Sequence, residues 1–182
     1  MAQVLTSYLN RPKIYTPDDA AFYAQYGDWP TSESLIPLMI SNSAPSGLVS
    51  ASSSYSATPP WYAFSGLLAS YNGWITNRGG APAWLQYQFA NQITINGYWV
   101  IPWSADTYPA RCITAWKLQG SNDGFTWTDL DTQSIADYTT LSITDRNIFT
   151  LSEPANYQYY RLYITENFDG NGYGGLKRMG LL

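Results

Sequence analysis

Histidine is absent from this 182-residue chain, and cysteine occurs once, at Cys112. The first absence removes Ser-His-Asp and Cys-His catalysis, most zinc sites and the usual proton shuttle near neutral pH. The second removes any internal disulfide and any cysteine-built metal centre. Cys112 reads as a small buried apolar residue. Charge is scarce too. Only 12% of residues are charged, and the 9 basic ones are scattered without a basic stripe, so no nucleic-acid partner is expected. No apolar run approaches the length of a membrane-spanning helix. Residues Met1 to Leu5 lack the charged and apolar regions of a signal peptide. The chain is therefore expected to be made in a cytoplasm, with no membrane insertion. It would act elsewhere only if carried out as part of a particle.

Aromatic residues are plentiful, at 16% of the chain, with 16 Tyr and 8 Trp. With Ser and Thr abundant and Lys and Glu sparse, this composition favours strands over helices. The patterning agrees. Leu85, Tyr87 and Phe89 alternate with Gln86 and Gln88, the mark of a half-buried strand. Tyr160, Leu162 and Ile164 are expected inward, with Tyr159, Arg161 and Tyr163 outward. Trp116-Lys117-Leu118-Gln119-Gly120-Ser121 and Phe125-Thr126-Trp127 flank the turn Asn122-Asp123-Gly124, which reads as a hairpin. Further strands are read from Leu48 to Tyr55, Ile93 to Ile101 (Gly97 as a bulge), Arg146 to Leu151 (closed by Pro154), Tyr157 to Thr165 and Leu176 to Leu182. An all-β sandwich of about eight strands is expected over residues 47–182.

Residues 1–46 differ. Pro12, Pro17, Pro30, Pro37 and Pro45 break them up. Thr16-Pro17-Asp18-Asp19 is a good helix start, so one short helix is expected in an otherwise extended arm. The arm carries Tyr8, Phe22, Trp29, Ile36, Leu38 and Met39, too many apolar groups for a solvated linker. It either folds back on its own domain or docks on another subunit.

Several pieces occur in an order that resembles the discoidin domain, also called the coagulation factor V/VIII type C domain, of the galactose-binding-like superfamily. They are Ala63-Phe64-Ser65-Gly66, Trp74, Trp84 to Phe89, Trp116 to Trp127, Tyr159-Tyr160-Arg161-Leu162 and the closing strand from Leu176. The resemblance covers about Ala44 to Leu182 and implies a jelly-roll β-sandwich with ligand loops at one end. Many members bind sugars; others bind lipid headgroups or proteins. Many also hold a structural calcium, whose ligands include an acid in the turn occupied here by Ser65 and a Glu where Arg178 stands. A hydroxyl and a cation in place of two acids suit calcium poorly, so no cofactor is expected. Residues 36–47, running into the Ser-rich strand, are similar to the entry into discoidin-like modules of tailed-bacteriophage virion proteins.

Two loops could carry ligand chemistry. Trp103, Asp106, Tyr108 and Arg111 lie in the first; Phe168, Asp169 and Tyr173 lie in the second. A flat ring packs on a pyranose face while Asp and Arg take its hydroxyls. Asn72 and Arg78 can join them. Arg111 paired with Asp106, and Trp103 covering the sandwich end, are the competing structural roles. Asp106, Glu166 and Asp169 could be imagined as a glycosidase pair, but nothing fixes their spacing. The Gly-rich stretch from Asp169 to Gly175 has no following Lys and is no phosphate loop. The expectation is a non-enzymatic structural protein of a bacteriophage virion (tail, fibre, baseplate or decoration), partnered by other virion proteins and by copies of itself. The alternative is a carbohydrate-binding module for host-surface glycans, and a glycan hydrolase ranks third.

Overall fold

The computed structural model describes residues 34–55, 58–65, 72–103, 111–137, 140–142, 145–168 and 172–182. The helix expected near Thr16 lies outside them. The described residues form eight strands: β1 (Leu48–Ala51), β2 (Trp74–Ile75), β3 (Ala83–Ile101), β4 (Ile113–Ser121), β5 (Thr128–Ser134), β6 (Asn147–Asn167), β7 (Gly175–Leu176) and β8 (Arg178–Leu181). A 3₁₀ turn spans Pro60–Phe64, and no described helix is long and apolar enough to cross a membrane.

The larger sheet runs β1-β3-β6-β4-β5, with β8 also paired to β3; β2 and β7 form a second, two-stranded sheet. Every pairing is antiparallel. The first half of β3 pairs with β1 and with the last part of β6. Its second half pairs with β8 and with the start of β6. Register shifts between Gln88 and Ile93 and between Ile95 and Gly97 separate the halves. The two halves face one another: Tyr98 of β3 meets Trp116 of β4, both wholly buried, and the Trp116 Nε1 donates to Tyr98 Oη at 2.9 Å. Phe149 completes the contact, stacked on Tyr98 and edge-on to Trp116. Two layers thus enclose a core of Leu85, Tyr87, Leu118, Tyr160, Leu162 and Leu181.

The expected alternation holds in β3 and β6. Leu85, Tyr87, Tyr160, Leu162 and Ile164 are buried, while Gln86, Gln88, Tyr159, Arg161 and Tyr163 are part-exposed on the opposite face. Other boundaries differ. Residues 83–101 form one strand, and so do residues 147–167, although Pro154 suggested a stop. Pro154 falls on β6 between Thr150, which pairs with Gly97 of β3, and Ala155, which pairs with Ile95, so its missing N–H costs no ladder bond there.

The hairpin also differs. Its second strand begins at Thr128, not at Phe125, and Phe125 is 90% exposed. The Asp123 carboxylate accepts the backbone N–H groups of Phe125 (2.8 Å) and Thr126 (2.7 Å), diverting them from the ladder. Those bonds hold the carboxyl well below the usual carboxylate range. Gly124 closes the turn with φ +75°, a conformation L side chains rarely adopt.

Of the arm, residues 34–46 are described. Ile36 and Met39 are buried in the sandwich core. The Leu35 N–H donates to the Leu181 carbonyl (2.8 Å) and the Met39 N–H to the Phe64 carbonyl (3.0 Å). This stretch therefore packs on its own domain.

Candidate functional site

At one end of the sandwich the connecting segments are tied together by their backbones. The β2–β7 ladder forms the base. The Tyr55 N–H donates to the Ile75 carbonyl, Thr76 N–H to Gly174, Gly79 N–H to Gly172 and Phe168 N–H to Cys112. Thr76 Oγ1 accepts the Gly174 N–H at 2.9 Å, and the Trp74 indole donates to the Ser53 carbonyl at 2.9 Å. Residues 53–55, 74–79 and 172–176 are thus fixed relative to one another by hydrogen bonds and backbone pairing. Preorganised loops of this kind lose little entropy when a ligand arrives.

The expected ligand residues fall into three groups. Trp103 is in the interior, 1% exposed, with its Nε1 donating to the Trp74 carbonyl at 3.3 Å. The ring fills space left by two glycines: a Cβ on Gly73 would lie 2.7 Å from it, and one on Gly175 3.0 Å. A ring enclosed this way is a wall of the site, not an open platform for a sugar. The Arg111 guanidinium lies 5.1 Å from the centre of the Trp103 ring and so covers it. Asp106, Tyr108 and Asp169 lie outside the described residues. Tyr173 and Phe168 remain at the surface, Tyr173 part-exposed and Phe168 49% exposed.

The structure adds a partner that the sequence pattern hid. Tyr55, 47% exposed, meets Tyr173 edge to face, with centroids 5.6 Å apart and planes at 77°. Tyr55 looked like the end of a Ser-rich strand, but β1 stops at Ala51 and the chain turns toward β2. Arg78 is exposed on the neighbouring turn, whose Gly79 bonds Gly172. Two rings at right angles, with an exposed arginine on the turn bonded to the residue before Tyr173, offer one apolar face and several donors, the mixture a sugar requires. Asn72 turns its carbonyl to Arg178 instead.

Behind this end sits Arg178, 3% exposed. Its Nη1, with two N–H groups to share, lies within hydrogen-bond distance of three carbonyl oxygens, those of Tyr62 (2.9 Å), Asn72 (3.1 Å) and Lys177 (2.5 Å). Its Nε has no partner among the described residues. Burial pulls Arg178 down to about 10, which leaves it a cation at neutral pH. The Ser65 hydroxyl donates to the same Tyr62 carbonyl at 3.0 Å. The fit to calcium can be judged from these contacts. Calcium needs several oxygen ligands with carboxylate charge. Here the oxygens are carbonyls already taken by a fixed positive charge, and the described residues hold no group of three or more His, Cys, Asp or Glu that could bind a metal. Ser65 and Arg178 do not fit the ion.

Catalytic groups are no better served. Burial pushes the Cys112 thiol up to about 11, so it stays protonated and unreactive. Glu166 is exposed on β6, opposite Ala115 in register.

A family model described as the F5/8 type C domain matches residues 49–179. No curated protein sequence matches significantly. Among solved structures, the chain is similar to the family 32 CBM of Clostridium perfringens NanJ in complex with galactose, with a TM-score of 0.60 and 15% identity, covering 74% of this chain and 92% of that one. It is similar to chitosan-binding module 2 of a Paenibacillus sp. IK-5 chitosanase/glucanase in complex with chitotriose (TM-score 0.59, 19% identity, 74% and 95% covered). A third similar structure is CpGH89CBM32-5 from C. perfringens with GalNAc-β-1,3-galactose (TM-score 0.59, 15% identity, 75% and 94% covered). At these identities the likeness establishes the jelly-roll fold.

Proposed function

The chain belongs to the F5/8 type C domain family, and from that membership we propose that it is a non-catalytic carbohydrate-binding module whose loop end receives a glycan. The observation that carries this reading is the Tyr55–Tyr173 ring pair at the surface, on loops fixed by their own backbone bonds, with exposed Arg78 on the adjoining turn. Similar structures with galactose, chitotriose and GalNAc-β-1,3-galactose support it. Tyr173 supplies the apolar face, Tyr55 sets its orientation, and Arg78 takes sugar hydroxyls. Trp103 and Arg111 hold the floor.

A glycan array followed by calorimetry tests this. Galactose or an amino sugar is expected to bind, and Tyr173→Ala is expected to weaken it about tenfold, the loss of one stacked ring. No saccharide bound at millimolar concentration would remove the proposal.

The setting we propose is a bacteriophage virion, with other virion proteins and further copies of the chain as partners. The support is the similarity of residues 36–47 to phage discoidin-like modules and the apolar content of the arm. The module also needs no calcium under this proposal, for the reason given by Arg178.

A further inference from the structure

Among the described residues no second layer covers the broad outer face of the larger sheet, and its composition is unusual for a solvated surface. Along β6, Tyr159, Arg161 and Tyr163 point outward. Arg161 is flanked in register by Gln86 on β3 and Gln119 on β4; Tyr163 is flanked by Trp84 and Lys117. Arg161 is held flat. Its guanidinium carbon lies 3.9 Å from the centre of the Trp127 ring and 5.1 Å from that of Tyr163, and its Nε donates to Gln119 Oε1 at 2.7 Å. The carboxylate of Asp129, opposite Gln119 in register, is already engaged. Asp129 accepts Lys117 Nζ at 2.6 Å and Gln119 Nε2 at 2.5 Å.

These contacts leave one positive charge in excess, Lys117 and Arg161 against Asp129. Among the described residues the terminal guanidinium nitrogens of Arg161 carry no hydrogen bond and face no carboxylate within ion-pair distance. We propose that this face is a second saccharide surface, distinct from the loop end, which binds an acidic glycan through a sugar carboxylate on Arg161. The proposal rests on the glycan-binding reading above. A planar guanidinium with two free terminal nitrogens is shaped for a two-pronged carboxylate contact. The rings of Tyr163 and Trp84 offer the flat surface a pyranose stacks on, and Gln86 offers donors and acceptors for its hydroxyls. The occupant's charge follows from complementarity. The chain as a whole carries net charge -4, so general attraction to a polyanion is opposed, and binding must come from this local site.

Affinity electrophoresis in gels containing polygalacturonate, with neutral galactan as control, tests the proposal. The native protein is expected to be retarded by polygalacturonate, less so as sodium chloride is raised. Arg161→Gln should weaken retardation about tenfold or more, and Arg161→Lys partially, since it keeps charge but loses the fork. Tyr163→Ser should weaken it with the charge intact, and Tyr173→Ala should leave it unchanged. A thermal melt shows whether each variant is folded. Native protein that runs unretarded in polygalacturonate overturns the proposal, as does a folded Arg161→Gln variant retarded as much as native. Galactose binding in the same preparation separates the two sites. Galactose bound with polygalacturonate ignored overturns the face alone; neither bound overturns both.

Discussion

Arg178→Leu is expected to cost about 2–6 kcal/mol of stability, since each buried acceptor left without a donor costs roughly 1–3 kcal/mol. Two carbonyls, of Asn72 and Lys177, lose their donor together, while that of Tyr62 keeps the Ser65 hydroxyl. Against a total of roughly 5–15 kcal/mol this is a large share, and the melting temperature should fall by about 10 °C or more. Arg178→Lys should fall between the two, because an ammonium on a shorter reach can meet some of the carbonyls but not all. Calcium chloride and EDTA should leave the melting temperature of the native protein unchanged, because its own guanidinium occupies the carbonyls a metal would need. Leucine relieves the cost of burying a charge, so the outcome is informative either way. A variant within about 1 kcal/mol of native would mean that water satisfies those carbonyls and that the guanidinium holds nothing. A rise in melting temperature on adding calcium would refute the metal-free account on its own.

Trp116→Ala is the second large effect, with an expected loss of about 3–5 kcal/mol for a fully buried indole. A graded series separates packing from polarity. Tyr98→Phe keeps the ring on Phe149 but strands the Trp116 Nε1, and should cost about 1–3 kcal/mol. Trp116→Phe removes the donor and part of the volume, while Tyr98 keeps its 2.7 Å bond to Asp131 Oδ2. Burial, with Asp131 beside it, pushes the Tyr98 phenol far above its ordinary value, so its proton stays in place across the working pH range. Equilibrium denaturation in urea gives all three numbers. If Trp116→Ala costs less than Tyr98→Phe, the contact between the layers lies elsewhere.

Much of this fold could be read before any coordinates. The alternation of Leu85, Tyr87 and Phe89, and of Tyr160, Leu162 and Ile164, fixed the inward faces because a half-buried sheet imposes a period of two. The full length of β3 and β6 could not be read: Gly97 reads as a bulge within a shorter strand and Pro154 as a stop until the register shift that accommodates them is known. The site was less legible for the same kind of reason. Trp103 sits in polar sequence, and only Gly73 and Gly175, far away in the chain, show that it is enclosed. Tyr55 was hidden in a Ser-rich run, and its partner Tyr173 lies across the sandwich end. At Arg178 the missing acid was visible, but the carbonyls it holds are 116 and 106 residues earlier. For residues 34–40 the open choice between own domain and neighbour is resolved toward the domain by Ile36 and Met39.

The pairing of β3 along its whole length with β6 also governs how the molecule comes into being. During synthesis β3 emerges first, and for roughly several seconds, at typical elongation rates, its main partner has not yet been made. Only the short β1 can cover one edge of it. The nascent chain therefore carries an unpaired edge with apolar side chains, and loop closure over a long separation must precede the central pairing. Stalled chains ending before Asn147 are expected to be cut readily by protease within residues 83–101. Chains extending past Leu182 on a linker should be protected there. Equal sensitivity in both would mean that β3 is guarded by something other than its partner strand.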